Sequence, residues 1–138
     1  MSLHTTNYKN TFIESADDSK AQEGKIPPHR EGTTTEANHH FDMIYDNPYR
    51  YTSDDIIFKT YAAKNNLSEN KNERETFFSK GQPCLRCSPL TKRYGWGIHS
   101  DDDGRVAMYP VGSEEYKKFV ADENLQHVKA MRSTRRDK

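Results

Sequence analysis

Residues 93–109 leave this chain the least freedom. Residues 93–99 read Arg-Tyr-Gly-Trp-Gly-Ile-His. In an extended chain Trp96 and Ile98 share one side, with Tyr94 nearby, because successive side chains alternate. Residues 100–104 read Ser-Asp-Asp-Asp-Gly, and Asp-Gly between hydrophobic runs is a strong hairpin signal. Arg105, Val106, Ala107, Met108 and Tyr109 return as the partner strand, and Pro110 ends it because it cannot donate to the ladder. A β-hairpin over about 92–109 is therefore expected.

The rest of the chain must supply elements to cover that hairpin. Thr11, Phe12 and Ile13 favour a strand near 10–15. Residues 19–33 are polar and contain Gly24, Pro27, Pro28 and Gly32. They show no hydrophobic periodicity, so a flexible loop is expected there. Thr33, Thr34, Thr35 and Glu36 open a first helix, with Ala37, Phe41, Ile44 and Tyr45 on its apolar face. Asn47-Pro48 stops it.

Thr52, Ser53, Asp54 and Asp55 open a second helix. Its expected buried stripe is Ile57, Phe58, Tyr61 and Ala62, and Asn65-Asn66 ends it. A third helix is expected over 69–79, opened by Ser68 and anchored by Phe77 and Phe78, with Gly81 closing it. After the hairpin, Ser113, Glu114 and Glu115 cap another helix, with Tyr116, Phe119 and Val120 facing inward. Residues 125–131 read best as a final strand, and a basic tail at 132–138 should fray.

This order predicts an α+β domain, a small antiparallel sheet packed against several helices. The length fits one domain spanning 1–138. Only 32% of residues are hydrophobic and mean hydropathy is −1.12. The core must then lean on eight Tyr, six Phe and one Trp, whose rings bury much area each.

Charge excludes some partners. The chain balances 21 basic against 21 acidic residues. Residues 1–77 carry nine cations and thirteen acids, and residues 78–138 twelve cations and eight acids. That asymmetry is too mild for a nucleic-acid partner. Arg132, Arg135 and Arg136 with Lys129 and Lys138 lack the aromatic interleaving of a nucleic-acid surface. No run is long enough to span a membrane, and no charged leader precedes an apolar run, so a cytoplasmic location is expected. Two cysteines do not make a disulfide framework.

Residues 78–103 are where chemistry is expected, although no known catalytic signature is there. Between 78 and 99 there is no acid, and the stretch holds both cysteines and the only tryptophan. Residues 78–84 (Phe-Ser-Lys-Gly-Gln-Pro-Cys), Arg86, Ser88-Pro89-Leu90 and Lys92 through His99 resemble a family of small uncharacterised bacterial proteins, a domain of unknown function. Residues 4–8, 47–55 and 129–133 fit the same family, so the resemblance covers nearly the whole chain and implies one intact domain. It brings no catalytic residue, cofactor or substrate with it. The family pattern has one cysteine, matching Cys84, and Cys87 departs from it.

Three sites are expected or weighed on the residues themselves. Cys84-Leu-Arg-Cys87 has the spacing of a zinc half-site or a redox pair. A structural zinc needs four ligands, which His39, His40 or His99 would have to complete, and a redox pair belongs at a helix N-terminus. Pro83 and Ser88-Pro89 make this stretch read as a loop, so two small half-buried thiols are the plainer reading and no metal or cofactor is assigned. Cys84 and His99 are candidates for a nucleophile and its base, against plain packing of Cys84 on the hairpin.

Arg86, Lys92, Arg93, Tyr94, Trp96 and His99 are the candidates for a pocket that binds a small anionic molecule, by bidentate guanidinium bonds and ring stacking. Gly95 and Gly97 leave one strand face bare, for a ligand or for a packed neighbour. Asp101, Asp102 and Asp103 lack the spaced ligands of a calcium loop and read as a solvated turn. The functional expectation is a small-anion binder. The alternatives are a cysteine-dependent enzyme using Cys84 and a protein-interaction module that forms a homodimer.

Overall fold

A computed structural model of the protein describes residues 3–133. The chain runs β1 (Thr11–Glu14), α1 (Glu36–Ile44), α2 (Ser53–Lys64), α3 (Lys71–Phe77), a 3-10 turn (Leu85–Cys87), α4 (Pro89–Lys92), β2 (Trp96–Ser100), β3 (Val106–Pro110), α5 (Glu114–Ala121) and β4 (Gln126–Lys129). The fold is α+β, and the hairpin β2–β3 is present.

The sheet order is β3-β2-β1-β4. β1 pairs antiparallel with β2, bringing Ile13 opposite Ile98, and β2 pairs antiparallel with β3, bringing Ile98 opposite Met108. β4 lies parallel to β1, with Val128 opposite Ile13. The sheet is therefore mixed, not purely antiparallel as expected. The physical reason is α5, which carries the chain from β3 across β2 and β1 to the far edge. Such a crossover returns the chain in its original direction.

The sheet has two covered faces. Ile13, Trp96, Ile98, Val106 and Met108 point to a core shared with Ile44, Ile56, Leu85 and Leu90. Phe12 points to the other face, fully buried, with its ring 5.1 Å from Tyr116 and 5.2 Å from Phe119 on α5. Burying one such ring is worth about 2–3 kcal/mol. A satellite core joins Phe58, Ala62 and Phe78 between α2 and α3.

Local chemistry explains most element ends. Thr35 caps α1, its hydroxyl accepting the Asn38 N–H at 3.2 Å while Asn38 accepts the Thr35 N–H at 3.0 Å. Thr52 and Asp55 form the same reciprocal box at α2, at 3.1 and 3.0 Å. α3 starts later than expected because Asn70, not Ser68, is its cap, accepting the Glu73 N–H at 2.8 Å.

Residues 89–92 form α4 rather than loop, since Ser88 caps it and Pro89 fills the first helical position. Strand β2 consequently begins at Trp96 and not at Arg93. On α2 the buried residues include Ile56 and Thr60, whereas Tyr61 is exposed. On α5 Val120 is exposed as well, because Tyr116 and Phe119 fill the space over Phe12. Of the basic tail, residues 134–138 lie outside the described residues.

Residues 19–33 contain no helix or strand, only a bridge between Arg30 and Thr33. Their first part is docked on the sheet. The Lys25 N–H donates to the Tyr94 carbonyl at 2.8 Å, and the Trp96 indole N–H donates to the Lys25 carbonyl at 2.9 Å. The same segment covers Gly95. That glycine has φ +80°, and a Cβ there would collide with the Glu23 carbonyl and with Ala21. Gly97 is covered from the other side of the strand, where a Cβ would stand 2.5 Å from Phe12 and 2.7 Å from Tyr116. Gly95 precedes β2, so the two glycines do not share one bare strand face as expected, and each is a packing position.

Candidate functional site

The cysteine turn is built by its neighbours. Leu85 is buried as its anchor, and its carbonyl accepts the Thr91 hydroxyl at 2.9 Å. The Cys87 N–H donates to the Cys84 carbonyl at 2.9 Å, which closes the 3-10 turn. The Met131 N–H donates to the Arg86 carbonyl at 2.8 Å, and Gln82 is pinned by its amide to the Phe77 carbonyl at 2.8 Å. Both thiols are free and half-buried.

Cys84 and Cys87 line one cleft of about 230 Å³, walled by α1, α2 and residues 82–87. Its apolar wall is Ile57, Tyr61, Phe77 and Pro83, and Glu36, His40, Thr60, Lys64 and Gln82 supply polar groups. The Cys84 sulfur lies 3.5 Å from the Tyr8 hydroxyl. Burial, then the bond to Cys84, pushes that hydroxyl above its ordinary range, against the opposing effect of Arg86. Burial, then the neighbouring Cys84, pushes the Cys87 thiol up, against the opposing effect of Lys92 and Arg86.

His40 is the most enclosed titratable group here. Burial, with smaller repulsion from His39 and Lys64, lowers it to about 3. Its Nδ1 lies 2.8 Å from Ser88 Oγ, and that oxygen already accepts the Leu90 N–H at 3.2 Å. Among the described residues Nε2 has no hydrogen-bond partner, and the ring lines the cleft. Lys64 makes no salt bridge among the described residues.

The other residues singled out from the sequence are dispersed. Arg86 donates through Nε to the Lys129 carbonyl at 2.6 Å, and its guanidinium also lies close enough to the Tyr8 hydroxyl and Cys87 to favour their charged forms. Lys92 and Arg93 face a shallow depression of about 420 Å³ together with Asp18, Ser19, Lys20 and Ser133. Arg93 also lies 6.0 Å over the Tyr94 ring. Tyr94 packs against the core, and Trp96 is buried in it.

His99 points to the α5 side. Its Nδ1 lies 2.8 Å from the Tyr49 hydroxyl and its ring stacks on Phe119 at 4.3 Å, and burial lowers its pKa. The structure thus brings Cys84 together with Cys87, and Lys92 with Arg93. It does not bring Cys84 to His99, or the six candidate ligand-binding residues into one pocket.

Among the described residues, only Asp101, Asp102 and Asp103 bring three metal-type donor atoms within 4.8 Å of one another. They form the hairpin turn, where Asp101 accepts the N–H groups of Asp103 and Arg105, each at 2.9 Å. Sequence reasoning missed Tyr8, Thr60, Lys64 and the cleft role of His40. The available signal was helical phase: His40 lies three residues beyond Ala37 and four before Ile44, on the buried face of α1.

Within the described residues no helix is long and apolar enough to cross a membrane. No curated protein and no solved structure matches the chain. Its sequence does match Family of unknown function (DUF6157) over residues 3–136. The segments that line the cleft and carry the sheet all fall within that match, and the chain belongs to this family of unknown function.

Proposed function

We propose that the protein binds a small organic acid in the cleft between α1, α2 and residues 82–87. The observation that carries this reading is the neutral, nearly enclosed His40 imidazole on the cleft wall, beside the charge of Lys64. A carboxylate would take the Lys64 ammonium, with His40 in its Nε2–H tautomer as a second donor, and its apolar body would lie against Ile57, Tyr61 and Phe77. This mix of apolar wall and few convergent polar groups suits small-molecule sites. A cytoplasmic setting belongs to the same proposal, supported by two free thiols.

Isothermal titration with benzoate, phenylacetate and hexanoate tests it. At least one of these acids should bind, its neutral amide should bind more weakly, and Lys64→Met should weaken the acid by about tenfold, the scale of one charge-assisted contact. Absence of binding by all three acids, or an affinity untouched by Lys64→Met, would overturn the reading.

A further inference from the structure

We propose that Cys84 and Cys87 form a redox-active dithiol that exchanges with small-molecule disulfides. This does not rest on any ligand in the cleft. The backbone carries the geometry. A carbonyl-to-N–H bond between residues three apart brings their Cα atoms within about 7 Å, and Cys84 and Cys87 share such a bond at 2.9 Å. A disulfide needs Cα atoms roughly 4.4–6.8 Å apart. The turn is held from outside by the Thr91 hydroxyl on the Leu85 carbonyl and the Met131 N–H on the Arg86 carbonyl. Bridging therefore asks for side-chain rotation over a backbone already bent to the required turn.

Access and order of attack follow from the surroundings. Both sulfurs are free, half-buried and on the wall of one open cleft, and the intervening Arg86 side chain is held by the Lys129 carbonyl. The Tyr8 hydroxyl lies 3.5 Å from the Cys84 sulfur, where it can donate to a thiolate, and burial makes the Cys87 thiol harder to ionise. Cys84 is then the attacking sulfur and Cys87 the resolving one.

In the first step the Cys84 thiolate attacks a disulfide R–S–S–R, forming a mixed disulfide and releasing one RS⁻. In the second, Cys87, on losing its proton, attacks the Cys84 sulfur, closes the internal disulfide and releases the second RS⁻. The protein is oxidised by two electrons and the small disulfide is reduced to two thiols. Disulfides of cytosolic proteins are usually transient ones of this kind.

The test uses the full reduced chain with excess glutathione disulfide, while circular dichroism verifies that it stays folded. Acid quenching, alkylation and intact mass then read the products. The expected product is lighter by two hydrogens, carries no glutathione, resists alkylation at both cysteines, and returns to the dithiol with dithiothreitol. Cys87→Ser should retain one glutathione per chain. Cys84→Ser should acquire glutathione more slowly by about fivefold or more, since exchange rate follows thiolate availability and access. A dithiol that persists under excess oxidant, or a chain holding two glutathiones with no internal bridge, overturns the proposal. Equal rates in the two variants overturn Cys84 as the attacking sulfur.

Discussion

Asp54 and Thr6 are joined by two hydrogen bonds to one carboxylate oxygen. Asp54 Oδ1 accepts the Thr6 N–H at 2.6 Å and the Thr6 hydroxyl at 2.7 Å, while Oδ2 accepts the Thr5 hydroxyl at 2.7 Å. Asn7 returns the contact by accepting the Asp54 N–H at 2.8 Å. The N-terminal segment is thus clamped onto the first turn of α2, where an acid also complements the helix dipole. That clamp sets Tyr8 beside Cys84.

Asp54→Ala should remove this clamp and strand the Thr6 N–H. Bonds to a charged acceptor are worth about 1.5–3 kcal/mol each in favourable cases and do not add fully, so a total loss of about 2–4 kcal/mol is expected. Urea unfolding checks it: the midpoint should fall with little change in slope. An unchanged midpoint would show that the clamp contributes nothing.

Gly95→Ala should loosen the segment that docks on the sheet. The positive φ disfavours a side chain, and the new methyl group would press on Glu23 and Ala21. A cost of about 1–3 kcal/mol is expected for a strained position with a collision. Lys20 and Lys25 lie in the displaced segment, so trypsin should cut there sooner in the variant than in the parent. Equal cleavage rates would mean that Gly95 does not hold this segment.

Phe78→Ala should empty the centre of the satellite core, where Phe58, Ala62 and Phe77 surround the ring. Such a truncation costs about 3–5 kcal/mol when the site cannot collapse. The Phe78 carbonyl also accepts the His4 N–H at 2.9 Å, so hydrogen exchange at His4 should quicken together with the fall in stability.

The hairpin was legible because alternation, an Asp-Gly turn and a terminal proline all agree over 92–109. The parallel pairing of β4 was not, since four residues of strand carry no mark of which edge they join. The stripe expected on α2 holds at Phe58 and Ala62 but misses Ile56 and Thr60 and wrongly includes Tyr61, because Ile56, Ile57 and Phe58 are consecutive and a run of apolar residues leaves the buried side undecided. Gly95 and Gly97 signalled close approach, but nothing local could name residues 21–24 or Phe12 and Tyr116 as what approaches. The pairing of the two thiols was visible in their spacing. The cleft that they line was not, because α1 and α2 come from distant sequence.

His40 makes stability depend on pH. Its ordinary value is about 6.5, and enclosure lowers it to about 3 in the folded chain. Between those values the unfolded chain binds a proton that the folded chain does not, so unfolding becomes easier as pH falls. The contribution is complete above about 6.5 and is lost progressively down to about 3, at a slope of up to about 1.4 kcal/mol per pH unit. Exposed carboxylates add their own acid sensitivity, so the informative quantity is a difference between two proteins. His40→Asn keeps a polar group near Ser88 without titrating. Its Tm should be lower than the parent's at pH 7, but the gap between the two should narrow steadily as pH is taken from 6.5 to 4. Parallel Tm curves across that range would show that His40 does not stay neutral inside the fold.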